Sequence, residues 1–402
     1  GIYHPHTEQV YTSLDDYLSK YKPVKKQTVG LLIFGGTSMG DSAMGAEELI
    51  KRLDGEANLI PIYSQDFNYC KAMRDFFFKG GKPIVDLVIS LLLFRMNGGP
   101  MGGNPQPTLD ILRELDVPVL NAPPMYIGKV RQWKESEIGL SPIQTITHIT
   151  LPELDGCIEP ILPCGYEEHG FDQNISAQVR TMAPIPDRLD RIAGRAKAWL
   201  RLRGKENSEK RVAIILYNYP PDESGIGAAG YLDTMESIKE LLTRLKEEGY
   251  TTEELPEGVG VDEIFINQGI MNSSKWLPLE TTAKNSVMVG NDTYLKWFGE
   301  FSQETRNTVT ERWGNPPGSV LTCGGSFIIP GLQLGNVFIG LQPSHGGRSD
   351  DIKKSLESYH DKTLPPHHQY LVFYKWLEEE LSLIHISEPT RPLYISYAVF
   401  CL

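Results

Sequence analysis

Apolar residues in the first half of the chain alternate between short continuous runs and runs with helical spacing. Continuous runs are typical of strands buried on both faces of a sheet, and they occupy residues 29–34, 58–63, 85–94 and 117–121. Apolar residues three and four positions apart, as on one face of a helix, occupy residues 12–21, 44–53, 69–78 and 108–115. Strands that alternate with helices in this way predict an α/β fold with a parallel sheet.

The second half of the chain shows the same alternation, after a basic amphipathic helix and a polar linker. Helices are predicted at residues 186–203, 235–248, 291–313 and 365–380, and strands at 211–217 and 336–341. We therefore predict a multi-domain α/β protein made of parallel-sheet, Rossmann-like or flavodoxin-like units with helical connections. The predicted division is an N-terminal α/β domain at 1–180, a helix and linker at 181–210, a second α/β domain at 211–335 and the start of a catalytic region at 336–380.

The last stretch, residues 381–402, changes composition abruptly and follows an amphipathic helix without a cap or turn signal. It is similar to the translation of a sequencing adapter, so we predict that it is not part of the natural fold. The chain also begins with Gly1 rather than Met. Both features predict a fragment of a longer protein.

Charge and cysteine content narrow the class of protein. The formal net charge is −12, which disfavours nucleic-acid binding because phosphate contacts need a basic surface. The five cysteines form no C-x-x-C pair, as expected of reduced thiols in the cytoplasm. No apolar run reaches the roughly 18 residues that span a bilayer, and no signal peptide is recognisable. A cytoplasmic protein without a membrane span is predicted.

A glycine-rich segment follows the predicted strand at 211–217. Gly225, Gly227 and Gly230 match the letters of the G-x-G-x-x-G dinucleotide motif. A long acidic loop separates them from the strand, unlike the tight turn of dinucleotide-binding folds. The chain also has no G-x-x-x-x-G-K-[ST] phosphate loop. The pattern therefore favours a loop that covers a cleft over a direct nucleotide site.

Histidines and carboxylates cluster after the predicted strand at 336–341, where open α/β sheets usually place ligands. The cluster consists of His345, Asp350, His360, Asp361, His367 and His368. Imidazole is a common metal ligand and also the side chain that titrates nearest to neutral pH. His367 and His368 are adjacent, so they cannot point in the same direction from a helix. For these two, a structural role at a helix start competes evenly with a role in a site.

Several blocks, in order along nearly all of residues 1–380, resemble the family of cobaltochelatase CobN and magnesium-chelatase H large subunits. The blocks are GIYHP at 1–5, LDVPV at 115–119, GLSPIQ at 139–144, LPELDG at 151–156, LYNYPP at 216–221, AGYLD at 229–233, GNVFIG at 335–340 and QP at 342–343. YHD at 359–361 and LPPHH at 364–368 are more similar to the cobalt branch. The chain departs from the family at Gly347 and Arg348, where an aromatic and an acidic residue are usual, and Asp350 is the candidate for the acidic role.

The resemblance implies the tetrapyrrole-binding subunit of an ATP-dependent chelatase that inserts Co²⁺ into hydrogenobyrinic acid a,c-diamide in cobalamin synthesis. Separate AAA+ partner subunits would hydrolyse the ATP. Removal of ring protons needs bases, and imidazole or carboxylate suits the metal. Catalytic roles are thus assigned to His345, Asp350, His360, Asp361, His367 and His368, with His367 and His368 as metal ligands. Ring contacts are assigned to Tyr217, Asn218, Tyr219, Tyr231, Asn336 and Gln342.

Three alternatives stay open at this point. The first is a magnesium-chelatase large chain that inserts Mg²⁺ into protoporphyrin IX, which a titration with the two rings would distinguish. The second is a non-catalytic tetrapyrrole-binding paralogue, which would bind a ring without metallating it. The third is a periplasmic-type α/β binding protein, which the absence of a signal peptide disfavours.

Overall fold

The computed structural model contains two compact units, Gly1–Gly204 and Lys205–Leu402. The described residues are 1–4, 9–35, 39–65, 68–99, 103–136, 138–174, 176–218, 225–227, 232–256, 258–272, 278–344, 361, 364–381 and 397–401. None of the helices in these ranges combines the length and the apolar composition that a bilayer crossing requires.

The first unit consists of a six-stranded sheet, two hairpins and the helices that connect them. Its strands are β1 (Ile2–His4), β2 (Gln9–Tyr11), β3 (Thr28–Phe34), β4 (Asn58–Ser64), β5 (Phe78–Lys79), β6 (Lys82–Pro83), β7 (Leu87–Leu91), β8 (Val119–Asn121), β9 (Cys164–Asp172) and β10 (Ala177–Pro184). Its helices are α1 (Leu14–Lys20), α2 (Met39–Leu53), α3 (Tyr69–Phe76), α4 (Gln106–Leu115), α5 (Val130–Lys134), α6 (Pro142–Thr145), α7 (Leu151–Leu154) and α8 (Pro186–Arg203).

The sheet of the first unit has the strand order β2-β1-β4-β3-β7-β8. β3 pairs in parallel with β4 and β7, and β7 pairs in parallel with β8. β1 is antiparallel to both of its neighbours. The predicted parallel centre is therefore present, and two antiparallel strands extend it at one edge.

Both faces of this sheet are covered, which explains why its strands read as continuous apolar runs. On one face, Val29 and Leu31 of β3 pack with buried residues of α2 and α8. On the other face, Leu32 packs with α3, α4 and the fully buried Phe77. Gly30 lies on that second face, and a Cβ there would be 2.4 Å from Cζ of Phe77. Only glycine leaves room for the ring at this position.

Two features of the first unit are not predicted by the apolar pattern. The β9–β10 hairpin is largely exposed and has no continuous apolar run. Residues Ile146–Thr150 form a π-helix between α6 and α7, in which His148 is fully buried. The strand predicted at 85–94 is also shorter in the structure, because only Leu87–Leu91 pair with a neighbouring strand.

The second unit contains a four-stranded and a three-stranded sheet. Its strands are β11 (Val212–Leu216), β12 (Val287–Gly290), β13 (Thr322–Cys323), β14 (Ser326–Ile329), β15 (Gly331–Leu334), β16 (Val337–Leu341) and β17 (Tyr397–Cys401). Its helices are α9 (Thr234–Glu247), α10 (Val261–Gln268), α11 (Leu279–Lys284), α12 (Asn291–Gly299), α13 (Gln303–Trp313) and α14 (His368–Glu379).

The four-stranded sheet of the second unit is mixed, which corrects the expectation of a parallel sheet. Its order is β15-β16-β11-β17. β11 and β16 are parallel, whereas β15 pairs with β16 and β17 pairs with β11 in antiparallel fashion. β15 and β16 are joined by a tight turn at Gly335, whose φ is 58°, and such a turn can connect only antiparallel strands.

Buried residues lie on both faces of this mixed sheet. On one face, Ala213 and Phe338 pack with α12 and α14. On the other face, Val212 and Ile214 pack with α9 and α10. β16 belongs to the same sheet as β11, so residues 335 and 336 lie within the second compact unit. α8 packs in the core of the first unit, which ends at Gly204, inside the linker range predicted at 181–210. The predicted domain bounds stay a prediction.

Two further predictions about the second unit, a helix at 291–313 and a foreign stretch at 381–402, can be compared with the structure. The helix predicted at 291–313 is divided into α12 and α13, because the Ser302 Oγ caps the second helix by accepting from the N–H of Thr305 at 3.1 Å. β17 falls in the stretch predicted to be foreign, and its backbone pairs with β11. The foreign origin of residues 381–402 stays a prediction.

Candidate functional site at the carboxyl edge of β11 and β16

β11 and β16 end side by side in the second unit. They pair in parallel, with Leu216 opposite Leu341, and the N–H of Gln342 donates to the carbonyl of Leu216 at 2.9 Å. Tyr217, Asn218 and Gln342, three of the predicted ring contacts, therefore lie together at this edge. Open α/β sheets commonly bind their ligands at the carboxyl ends of parallel strands.

The chain turns back directly after β11. Asn218 is buried and forms an isolated antiparallel bridge with Ile226, and the N–H of Gly227 donates to the carbonyl of Tyr217 at 2.8 Å. Gly227 has a φ of 64°, a conformation that glycine adopts without strain. The hydroxyl of Thr234 donates from Oγ1 to the carbonyl of Gly227 at 2.6 Å. The role of Gly227 in this segment is thus conformational.

Asn272 is a residue of this edge that the sequence does not single out. α10 ends at Gly269, whose φ is 67°, and the following turn brings Asn272 beside the end of β16. Its Nδ2 donates to the carbonyl of Gln342 at 2.6 Å. Its buried Oδ1 accepts no hydrogen bond from the described residues. A buried acceptor without a partner costs ~1–3 kcal/mol, so a ligand that donates a hydrogen bond here would be favoured.

His367 joins the segment after β16 to the start of α14. It is the N-cap of α14, because its Nδ1 accepts from the backbone N–H of Tyr370 at 3.0 Å. Since Nδ1 accepts, Nε2 carries the proton and donates to the carbonyl of Ser344 at 2.7 Å. The residue is 1% exposed, and its ring packs edge-on against Trp313 with the centroids 5.7 Å apart.

His368 lies among aromatic residues in the core of the second unit. Its Nε2 donates to the carbonyl of Gly314 at 2.9 Å, so Nδ1 accepts from the hydroxyl of Tyr294, also at 2.9 Å. Burial lowers the pKa of His368 and raises the pKa of Tyr294. Both side chains are therefore neutral near pH 7.

The two histidines point to different neighbours, and each ring uses both nitrogens for contacts within the protein. Metal ligation by either ring requires one of these hydrogen bonds to be exchanged for the metal. The part of the chain that the structure describes contains no group of three or more His, Cys, Asp or Glu side chains placed to hold a metal ion. The catalytic and metal-binding roles of His367 and His368 stay predictions, whereas their role as anchors of α14 is a feature of the fold.

Comparison with known proteins identifies the family of the chain that carries this edge. The model of the CobN/Magnesium Chelatase family matches residues 1–386. The chain belongs to the CobN/magnesium chelatase family. The magnesium-chelatase H protein of Rhodobacter capsulatus is 28% identical over 96% of this chain. The aerobic cobaltochelatase subunit CobN of Pseudomonas aeruginosa is 33% identical over 68% of it.

A solved structure from the CobN/magnesium chelatase family has a similar fold. The catalytic subunit of cobaltochelatase from Mycobacterium tuberculosis matches 88% of this chain with a TM-score of 0.65 and 25% sequence identity. This chain covers 29% of that protein, 32% of the R. capsulatus protein and 22% of the P. aeruginosa protein. It therefore spans about a third or less of the relatives that it matches.

The other residues predicted for a chelatase site fall into two groups. His345, Asp350, His360, Tyr219 and Tyr231 lie outside the described residues. Asp361 and Asn336 are described, but the structure does not place either of them beside Asn272.

Asn336 lies at the opposite end of β16 from Gln342. Six residues at roughly 3.3 Å each separate the two by about 20 Å. Asn336 Nδ2 donates to the carbonyl of Ser208 at 2.9 Å, and its N–H donates to the carbonyl of Thr251 at 2.8 Å. Although the family blocks GNVFIG and QP are separated by only one residue in sequence, Asn336 and Gln342 lie at opposite edges of the sheet. Asp361 is exposed, and its carbonyl accepts from the N–H of Leu364 at 3.3 Å.

Proposed function

We propose that this chain forms part of the large, tetrapyrrole-binding subunit of an ATP-dependent metal chelatase, and that the ring lies against the carboxyl edge of β11 and β16. The observation that carries the proposal is the buried Oδ1 of Asn272, which has no partner among the described residues and lies beside Gln342. Membership of the CobN/magnesium chelatase family supplies the class of reaction.

Side-chain amides suit the recognition of a tetrapyrrole. The pyrrole N–H groups of the ring, and the side-chain amides of a corrin-type diamide, are hydrogen-bond donors. Asn272 Oδ1 accepts from such a donor without adding charge to the site. Tyr217, Asn218 and Gln342 extend this surface along the strand ends, and Tyr219 and Tyr231 are proposed to face the macrocycle.

Metallation exchanges two pyrrole protons for a divalent cation, so it needs proton acceptors beside the ring. We assign this task to His345, Asp350 and His360. While His367 and His368 keep their protein partners, they hold the edge in place rather than accept protons. ATP hydrolysis is assigned to separate AAA+ partner subunits, as the resemblance to the family implies.

Insertion of Co²⁺ into hydrogenobyrinic acid a,c-diamide is the first candidate reaction, since residues 359–368 are more similar to the cobalt branch. Insertion of Mg²⁺ into protoporphyrin IX is the second. It is favoured by the extent of similarity, which is 96% of this chain for the R. capsulatus magnesium-chelatase H protein and 68% for the P. aeruginosa CobN protein.

Titration of the purified chain with each ring, followed by the absorbance of the ring, tests the proposed site. Asn272→Ala removes the acceptor and should raise the Kd about tenfold, as the loss of a hydrogen bond worth ~1.4 kcal/mol predicts. Asn336→Ala is the matched control, since it removes an amide at the other end of the same strand. It should leave the Kd unchanged. Equal effects of the two substitutions would contradict the proposal.

The preferred ring distinguishes the two reactions. Tighter binding of the diamide supports cobalt insertion, and tighter binding of protoporphyrin IX supports magnesium insertion. Metallation itself has to be measured with the full-length protein and its partner subunits. Ring binding without metallation under those conditions would identify a non-catalytic carrier.

A further inference from the structure

The first unit contains a groove at the amino edge of its six-stranded sheet, where β3 and β4 begin. We call it the amino-edge groove. It runs along the starts of β3 and β4 and the end of α1, and its volume is about 570 Å³, within the roughly 300–1,000 Å³ typical of small-molecule sites. Its lining includes Tyr17, Tyr21, Lys22, Lys25, Asp54 and Lys79.

The loop that forms one wall of the groove is fixed by a single side chain. Asn58 Oδ1 accepts from the N–H groups of Val24 and Lys25, both at 2.9 Å. Asn58 Nδ2 donates to the carbonyls of Lys25 at 2.8 Å and Gln27 at 3.1 Å. The wall is thus preorganised, which lowers the entropic cost of binding a ligand.

Aromatic rings form a second wall of the groove. His4 and Tyr21 are stacked, with their centroids 3.7 Å apart and their planes 12° from parallel. Tyr17 packs against Tyr21 at 5.1 Å and donates from its hydroxyl to the carbonyl of Leu59 at 2.7 Å. Such a wall suits a flat, apolar ligand, which can pack its face against aromatic rings.

The groove is basic although the chain as a whole carries a net charge of −12. Three lysines line it against one acidic residue, Asp54. Lys79 pairs with Asp15 at 2.9 Å, whereas Lys22 and Lys25 are exposed and have no ion-pair partner among the described residues. These two ammonium groups would attract negative charge to the rim.

We infer that the amino-edge groove binds a flat, apolar molecule that bears at least two carboxylates, with its body against the aromatic wall and its acid groups at Lys22 and Lys25. This inference rests on the proposed function, because tetrapyrrole acids are the molecules of this class that a chelatase subunit meets. The groove is then a second ring site, in a different unit from Asn272.

Titration of the full 402-residue chain with protoporphyrin IX and with its dimethyl ester tests this inference. The ester keeps the ring and removes both negative charges. The wild-type chain should bind two molecules of the free acid. The double charge reversal Lys22→Glu with Lys25→Glu should weaken one of these sites at least tenfold. It should have no effect on the binding of the ester.

Matched variants distinguish the effects of charge, of aromatic contact and of folding on binding at the groove. Lys134→Glu with Arg191→Glu makes the same change of charge at exposed positions of the first unit that do not line the groove, and it should leave both sites intact. Tyr21→Phe should retain groove binding, whereas Tyr21→Ala should weaken it. If the lysine double variant binds protoporphyrin IX as the control variant does, the groove site is excluded.

The same titration separates this inference from the proposed function. If the chain binds a single ring, and Asn272→Ala weakens its binding whereas the lysine double variant does not, the result would contradict the groove site and support the edge of β11 and β16. A single ring with the reverse sensitivity would support the groove and contradict the proposed edge. A chain that bound no ring would contradict both.

Discussion

The imidazole of His367 donates from Nε2 to the backbone carbonyl of Ser344, 2.7 Å away. Its Nδ1 accepts from the backbone of Tyr370, so one side chain connects the segment after β16 to the first turn of α14. A protonated ring has no acceptor nitrogen, and this arrangement therefore needs the neutral form of His367. The edge beside Gln342 is held in place by a helix cap.

Replacing His367 with Ala should lower the free energy of unfolding. The loss combines a helix cap with a carbonyl left without its donor, and we expect ~1–3 kcal/mol. His367→Asn keeps a capping acceptor and should recover part of the loss. Urea denaturation followed by tryptophan fluorescence measures both variants. An unchanged midpoint for His367→Ala would contradict the capping role, and equal losses for the two variants would assign the effect to the contact with Ser344.

Gly30→Ala should destabilise the first unit, because the new Cβ would be 2.4 Å from the ring of Phe77. Overpacking of this kind costs ~1–3 kcal/mol. Combination with Phe77→Leu should give a smaller loss than the sum of the single variants, with a coupling of ~0.5–3 kcal/mol. Gly194→Ala is the control, since nothing lies within 4 Å of a Cβ at that position in α8. It should stabilise the protein slightly, and additive losses at Gly30 and Phe77 would show that the two do not compete for space.

Asp155→Asn should unfold the first unit at a lower denaturant concentration. Asp155 is 1% exposed, and its carboxylate binds the guanidinium of Arg95 and the N–H of Met96. Removing one partner of a buried pair leaves the other charge uncompensated, at a cost of ~3–5 kcal/mol. Glu114→Gln breaks the exposed pair with Arg74 and should have little effect. A similar shift of the denaturation midpoint in both variants would rule out burial as the cause.

The stability of the first unit should decrease as the pH falls below about 6.5, the ordinary pKa of histidine in an unfolded chain. Burial lowers the pKa of His148 in the folded state, so below that pH the unfolded chain binds a proton that the folded chain does not. The free energy of unfolding then falls by up to ~1.4 kcal/mol per pH unit, until the folded-state pKa is reached.

Comparison of variants isolates this effect, because the pKa of His368 in the second unit is lowered in the same direction. His148→Asn replaces the imidazole by an amide that gains no proton, and its stability should depend less steeply on pH below about 6.5. A slope that is equally steep in His148→Asn would contradict the assignment to His148.

The sequence predicts the central strands and helices of the first unit, because a sheet covered on both faces needs continuous apolar strands. It does not predict the β9–β10 hairpin, whose exposed residues follow no apolar pattern. It also predicts a parallel sheet in the second unit, where β15 instead returns antiparallel to β16. The spacing of apolar runs does not distinguish a helical crossover from a tight turn when the intervening strands are as short as β12 to β15.

The candidate site is predicted only in part, because its contacts join distant segments. The position of Gln342 after a buried strand predicts a residue at the ligand-binding edge. Asn272 has no motif around it and reaches that edge only through the turn after Gly269. The sequence also places His368 near the site, but its partners, Tyr294 and the carbonyl of Gly314, lie more than fifty residues away. Whether a histidine is an anchor or a ligand depends on such partners.

The parallel pairing of β11 with β16 has a consequence for synthesis of the protein on the ribosome. The two strands are more than a hundred residues apart in sequence, and such distant pairings form slowly. While the intervening segment is being made, β11 has emerged without its parallel neighbour and exposes an apolar strand that is prone to aggregation. The tetrapyrrole-binding edge that we propose therefore cannot assemble until translation has passed Leu341, and chaperone dependence should be greatest in that interval.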